Sequence, residues 1–472
     1  MNKILLILLT SLSLSLQAAL PSADNSSDIS SNYASFDGDR LHLSGNVSLY
    51  HDLGNMHAQK ASVKRGEKET PFTEMMLSDH VSFAFQNNSE LFCDEAELDF
   101  ILKVGKVLSK DGRVLYRNRQ NGPLDLFSRQ IDFQFAETNQ RVLEVEKLLA
   151  TEGVHIDYSK NYHLDSDQAL FENEKVSAFG FDPSSLCHLT HLQDEVDATR
   201  ITIHLENRLL QMENPRGTVS SFLFSGYPDQ LCTFSSKFLT WDDNANVMTL
   251  EEEILIEDDL LGTLTGEETI QFFQREQFGR FIIQTIESQG KTTLKSVPNA
   301  SNESQSLTCF GTLKLDRDNL LLSAKSPIIS GLVPLEKQLI YEKDDLTLFA
   351  DEATLEYTFY QMGLAPKVVV LNGHVRLLSN DPESPLQCGI ADTASYDPKT
   401  KEVRLLSDKG KEVLFWHEKQ NLKLSAQEIV IFEDPETKAE TIKGIGTVRF
   451  SFNDKEQEML HQLFPSFKKE NL

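Results

Sequence analysis

Long hydrophobic runs are scarce in this chain. Beyond its first residues no stretch approaches the roughly eighteen consecutive apolar positions of a spanning helix, so the rest of the chain reads as exported and soluble. Basic charge is also short: 45 Lys+Arg face 72 Asp+Glu, a formal net charge of −27. Without a basic stripe, nucleic acid is excluded as a partner, and the acidic excess reads as a solvated surface. Cysteine is sparse, with Cys93, Cys187, Cys232, Cys309 and Cys388 widely spaced and no CxxC among them. That pattern indicates neither a zinc site nor a redox motif. An oxidising compartment would permit one or two disulfides, whose pairing the spacing leaves open.

Enzyme signatures are missing too. There is no GxSxG, no P-loop and no HExxH. GIGTVR (444–449) begins like a dinucleotide loop but lacks the third glycine, so it reads as a turn. CHLTHLQDE (187–195) carries Cys187, His188, His191, Asp194 and Glu195 on one polar segment with no second ligand pair, so no metal is assigned. EEEILIEDD (251–259) and DDLTLFADE (344–352) lack EF-hand spacing and enclose aliphatic residues, as strands with one solvated face do. A glycosidase would need two converging carboxylates, which no spacing here indicates. The expectation is a non-enzymatic protein without a cofactor.

What the chain does contain is repetition. MNKILLILLTSLSLSLQAAL opens with Lys3, an apolar run from Ile4 to Leu16, and the small Ala18 and Ala19, the layout of a cleaved secretory signal. Later, LFCDEAELDF (91–100) returns as LFADEATLEY (348–357). Each half alternates with period two, like a half-buried strand. Between the halves the parity slips by one, from Cys93 to Ala96 and from Ala350 to Ala353. Such a slip turns every later side chain over unless a bulge or corner absorbs it. The phrase therefore reads as strand, corner, strand, with a small residue on each side of the bend. MHAQKASV (56–63), LFSRQIDF (126–133), LDSDQALF (164–171), VDATRITI (196–203), IADTASY (390–396) and LSAQEIVI (424–431) fit the same template.

A second marker, glycine followed by an alternating run, occurs as SGNVSLY (44–50), DGRVLYR (111–117), EGVHIDY (152–158), FGTLKLD (310–316), NGHVRLL (372–378) and IGTVRFSF (445–452). Glycine there is expected to make a tight turn opening a strand. Together the markers predict a stacked β array with a period of some thirty-odd residues. The register blurs between about 205 and 345, where FSSKFLTW (234–241) and LGTLTGEETI (261–270) match only in part. KTTLKSVPNASNESQS (291–306) reads as a hinge or long loop, and AFGFDPSSLCHLTHLQDE (178–195) as an insertion. At the end Asn453 can cap a helix with Glu456 three residues later, and Met459, Leu460, Leu463 and Phe464 share a face before Pro465. That helix is expected to cover an open sheet edge.

The run from 390 to 450, with ADTASYD (391–397), and SGNVSLYHDLGNMHAQKASV (44–63) resemble the OstA/LptA family of lipopolysaccharide-transport proteins, which repeats an A-D-x-A-x-Y-D … G-N-V pattern. The periplasmic part of the LptD family is also similar, but the polar KKENL ending gives no expectation of its barrel. The resemblance implies an all-β, folded-over antiparallel β-jellyroll in the periplasm of a Gram-negative envelope. Its dry groove would take the acyl chains of lipopolysaccharide, between an inner-membrane exporter and an outer-membrane assembly barrel. End-to-end self-association is left open. The expected division is 1–19 signal peptide, 20–32 linker, 33–290 and 307–452 as two jellyroll stretches around 291–306, and 453–472 as helix and tail. The expected lipid-facing residues are Val47, Leu49, Val63, Leu98, Phe133, Leu355, Tyr357, Val375, Leu377, Ile429, Ile431, Phe450 and Phe452. Alternation marks the buried face and not what fills it, so an exported β-solenoid scaffold with a filled core is the competing expectation.

Overall fold

The computed structural model describes residues 28–464 except 67–71, 87, 111, 120–122, 138–142, 160, 183, 221–230, 259–261, 278–279, 297–304, 344–345, 361–362, 380–385, 419–420 and 434–439. Period-two alternation governs nearly all of it. The described residues are antiparallel strands, with one 3₁₀ turn at Leu335–Lys337 and one helix at Asp454–Leu463. This is the expected all-β, folded-over architecture with a short C-terminal helix. No described helix is long and apolar enough to cross a membrane.

Two compact units emerge: Met1–Tyr116 with Asp132–Glu146, and Arg117–Ile131 with Lys147–Leu472. The signal at 1–19 lies outside the described residues, as does 20–27. Within the expected linker, however, Asp28–Ser30 is a strand paired with Ser48–Tyr50. Inside 291–306, Thr292–Lys295 is a strand paired with Gln305–Cys309, so the described part of the expected hinge is ordinary sheet of the second unit. The segment 178–195 is no insertion either, since Lys175–Phe179, Cys187–His191 and Asp194–Ala198 continue the sheet.

In the first unit, four long strands (Arg40–His51, Gly54–Arg65, Phe72–Phe85 and Glu90–Asp99) each run through the fold. Their registers break at Ser44/Val47, His57/Lys60 and Ser78/Val81. On one side of the break Leu43, Ala61, Leu77 and Ala96 stand in register, and all are buried. Phe133 meets Phe83 and Phe85 across the interior, with ring centroids 6.4 and 6.1 Å apart.

In the second unit the strands are mostly short and the same plan is executed piecewise. The chain makes a hairpin in one half-sheet, crosses a corner, makes a hairpin in the other and returns. Arg200–His204 with Leu209–Glu213 is followed by Arg216–Ser220 with Leu231–Ser235, then by Phe238–Asp242 with Val247–Glu251. The half-sheets face each other, because Tyr341 of one and Tyr396 of the other have centroids 6.2 Å apart. Beside the corners runs one cross-strand column through Ile201, Met212, Leu239, Leu250 and Ile270, and later Ala324, Ala353, Leu371, Ala394, Leu405 and Ile429. Two of its small members, Ala353 and Ala394, belong to the repeated phrase and alternate with the larger Leu371 and Leu405.

Each corner needs a way to end one ladder and start the next. Gly45 and Asn46 oppose the single Gln59, Asp79 and His80 oppose Asp94, and Glu152 and Gly153 oppose Asp167. Gly373 and His374 oppose Asp392, and every member of these four pairs has a positive φ. Three of the expected turn glycines are thus mid-strand corner residues, each one half of a two-residue bulge. At Gly373 (φ 77°) a Cβ would also lie 2.6 Å from Asp351 Oδ2, so glycine is required twice over. Gly112 and Gly311 do precede strands as expected. Beyond Gly446, by contrast, Thr447–Phe452 leaves the sheet after a single bridge from Arg449 to Ser425.

The aspartate of the repeated phrase then has a task. Lys110 N–H donates to Asp94 Oδ2 at 2.9 Å, Phe181 N–H to Asp167 Oδ2 at 3.0 Å and Asp408 N–H to Asp392 Oδ2 at 2.8 Å. A carboxylate at the exposed surface takes the place of the ladder partner that the corner removes. Asp392 also accepts Lys411 Nζ at 2.6 Å. Partial burial opposes its ionisation, but these donors outweigh that and hold its carboxyl below the usual range.

The helix begins as the sequence dictates. Asn453 accepts from Glu456 N–H at 3.0 Å and Glu456 accepts from Asn453 N–H at 2.8 Å, a complete capping box. It covers a sheet face, not an edge. Leu460 and Phe464 pack with Cys388, Leu414, Trp416 and Phe452, and partly buried Leu378 and Ile390 join them. Cys388 and Trp416 are cross-strand neighbours on the side opposite the interior. Covered on both faces, Val413–His417 is buried at every position and reads as an unbroken apolar run. Arg376 Nη1 donates to Leu463 O at 3.0 Å, placing a cation at the helix C-terminus.

Two outcomes follow from this packing. Ala394→Leu, at a position with no exposure, overfills the column and should destabilise the second unit by about 1–3 kcal/mol, read as a lower urea midpoint. An unchanged midpoint would mean that the site has room for the larger side chain. Asn453→Ala should cost about 1 kcal/mol and loosen the helix over Trp416. In a Trp241→Phe background, iodide should quench Trp416 more strongly than in the parent.

Candidate functional site

Apolar strand positions build the candidate site. In the first unit Val47, Leu49, Val63, Leu98 and Phe133 all point inward and are at most 3 % exposed. In the second unit Leu355, Val375, Leu377, Ile429 and Ile431 are likewise buried on the inner face. Leu377 stands in register with Leu348, and Ile431 with Val403. Eleven of the thirteen expected residues therefore face an interior, counting Tyr357 below, and they are divided between the two units.

Two expectations fail. Phe450 is 73 % exposed and belongs to no strand. Phe452 is buried, but beneath the helix with Trp416 and Leu460 and not on the inner face. The cause is common to both: the alternation of IGTVRFSF continues past Gly446 while the ladder does not.

Where Leu355 and Tyr357 lie, the facing half-sheets leave a small opening of about 50 Å³. Leu294, Leu307 and Tyr341 line it from one half-sheet, and Leu315, Leu355, Tyr357 and Pro366 from the other. Ser296, Gln305 and Ser306 supply its polar groups. Tyr341 Oη donates to Gln305 Oε1 at 2.9 Å, which fixes one wall. Tyr357 is half-exposed, and desolvation pushes its phenol above the ordinary value and keeps it neutral. Deeper in the interior, Lys343 Nζ donates to Tyr396 Oη at 2.9 Å and lies 5.3 Å from the centre of that ring. The arrangement can shelter apolar groups, and it places one cation among them.

The sequence reading missed Leu294, Leu307, Leu315 and Tyr341. All four fall in the stretch where the repeat blurs, because most corners there hold two residues between strands, such as Phe310–Gly311, where the matched phrases hold one, such as Asp351. CHLTHLQDE does not assemble a metal site. His188 and His191 lie three apart on one strand, so they take opposite faces. His188 Nδ1 pairs with Asp197 Oδ1 at 2.9 Å, while His191 stacks on Tyr162 at 4.1 Å.

All five cysteines are free and buried. Burial pushes the Cys93, Cys232 and Cys388 thiols up to about 12 and that of Cys187 to about 11, and it raises Cys309 as well. They act as small apolar residues, and Cys93 and Cys309 occupy corner positions. A raised folded-state pKa contributes stability below the unfolded value of about 8.5 that is lost as pH rises towards the folded one. The native protein should therefore leave all five thiols unlabelled by a thiol-exchange reagent at pH 8 and release five equivalents in guanidinium. Its urea midpoint should fall between about pH 8.5 and 11, and a flat profile there would contradict the burial. Compared with known proteins, the chain matches no protein-family model and, to a significant degree, no curated sequence.

Proposed function

We propose that this chain is a periplasmic, non-enzymatic lipid-binding protein that shields the acyl chains of lipopolysaccharide between its facing half-sheets on the way to the outer membrane. Its partners on this reading are an inner-membrane exporter component and an outer-membrane assembly barrel. The observation that carries the reading is the opening at Leu355 and Tyr357, where apolar side chains of both half-sheets stand apart. An acyl chain of a dozen methylenes leaving water gains on the order of 10 kcal/mol, less its ordering cost. Aliphatic walls supply that gain without a charged residue. The net charge of −27 repels phosphorylated headgroups, so on this reading they stay in solvent or meet divalent ions.

A second reading, an exported β scaffold with a filled core, is favoured by the burial of Val375 and Ile429 at 0 % exposure. The two readings part on whether lipid reaches the interior. Photo-crosslinking residues at Leu355 and Ile431, with outward-facing Thr354 and Arg404 as controls, should capture labelled lipopolysaccharide in cells from the first pair alone. Silence at all four in a folded, exported protein would sink the lipid reading and leave the scaffold.

A further inference from the structure

The outer face of the second unit carries a cluster that the lipid reading does not use. The hairpin formed by Leu143–Tyr158 and Tyr162–Glu172 places His155 opposite Asp165 and Asp157 opposite His163. Positions 155 and 157 share a face by period two, as do 163 and 165, so four polar side chains converge. Asp157 Oδ1 lies 3.1 Å from His155 Nε2 and 2.6 Å from His163 Nδ1. The three ligand atoms all fall within 4.8 Å of one another. His155 Nδ1 is 2.8 Å from Asp165 Oδ1.

The second imidazole nitrogen of His155 sharpens the argument. A neutral imidazole carries one N–H. With Asp165 accepting it from Nδ1, the Nε2 lone pair of His155 faces an oxygen of Asp157, an opposition that a cation between them removes. A carboxylate holding the far N–H of a histidine is also the arrangement that fixes a ligating imidazole and raises its basicity. Asp125, next in register beyond Asp157, is taken by Arg119 Nη2 at 2.7 Å, so it does not compete.

We propose that His155 Nε2, Asp157 Oδ1 and His163 Nδ1 form a site for a divalent first-row cation of the Zn²⁺ class, with Asp165 as the positioning residue behind His155. Two imidazoles and one carboxylate suit Zn²⁺ and its neighbours better than Ca²⁺ or Mg²⁺, which prefer oxygen alone. At metal–ligand distances of about 2.1 Å, tetrahedral ligand atoms stand roughly 3.4 Å apart. The 2.6 and 3.1 Å separations reach that by small side-chain rotations. His163 is exposed, so solvent completes the coordination. The ion would also clip the two strands together.

The test is calorimetric titration of chelator-treated full-length protein with Zn²⁺, with Co²⁺ absorption reporting the coordination. One Zn²⁺ per chain is expected. His155→Gln and His163→Gln should each weaken binding at least ten-fold and abolish the Co²⁺ bands. Asp165→Asn should weaken it about 10–100-fold while keeping a shifted Co²⁺ spectrum, which a merely structural role would leave unmoved. His188→Gln, on the neighbouring strand, should leave binding unchanged. Equal Zn²⁺ affinity in the parent and in a His155→Gln/His163→Gln double variant of unaltered circular dichroism would overturn the site.

Discussion

Everything in this fold depends on how the backbone survives the corner. A sheet that folds over on itself must break its ladder at every crossing, and a broken ladder leaves donors without partners. The chain answers with two residues of positive φ against one, and with an aspartate carboxylate that takes over an orphaned N–H. The small residues on either side of that aspartate have a separate cause. Ala353 and Ala394 alternate in register with the larger Leu371 and Leu405, and alternating small and large side chains fill a packed layer. The similar phrases at 91–100 and 348–357 each mark one corner, but where Asp94 accepts the backbone N–H of Lys110, Asp351 meets the side chains of Gln338 and His374.

That coupling decided what was legible. The parity slip from Cys93 to Ala96 located the fold of the sheet, because a slip without a corner would bury charge. The cap at Asn453 and Glu456 was equally plain, since both partners lie within one turn of the helix. Failures came where a local pattern outlived its tertiary partner. IGTVRFSF alternates as a strand does, yet past Gly446 its only ladder contact is the single bridge from Arg449. Val430 has the parity of an outward residue but is buried, in register between Arg404 and Lys443. Between 205 and 345 most corners hold two residues between strands, such as Glu252–Glu253 and Phe310–Gly311, and a longer loop follows Lys325, so the phrase is not preserved.

The division of the expected lining between an interior and an opening has the same origin. Alternation reports that a side chain faces inward, and inward is the same direction whether the space is filled or open. What separates the cases is the distance between facing half-sheets, which no single strand encodes. Val375 and Leu377 sit where opposite walls meet, whereas Leu355 and Tyr357 sit where they part. Tyr357 and the Lys343–Tyr396 pair place polar atoms on inner faces that are otherwise apolar.

The histidine cluster exposes a converse limit. VHIDYSKNYHLDSD carries two H-x-D triplets around a turn, and the spacing alone places each triplet on one face of its strand. What spacing cannot supply is the register that sets His155 against Asp165 and Asp157 against His163. One residue of slip would turn one strand over and scatter the four side chains to opposite faces. The buried partners of the same hairpin, Ile156 against Leu164, prevent that slip. The dry face of the hairpin thus fixes the chemistry available on its wet face.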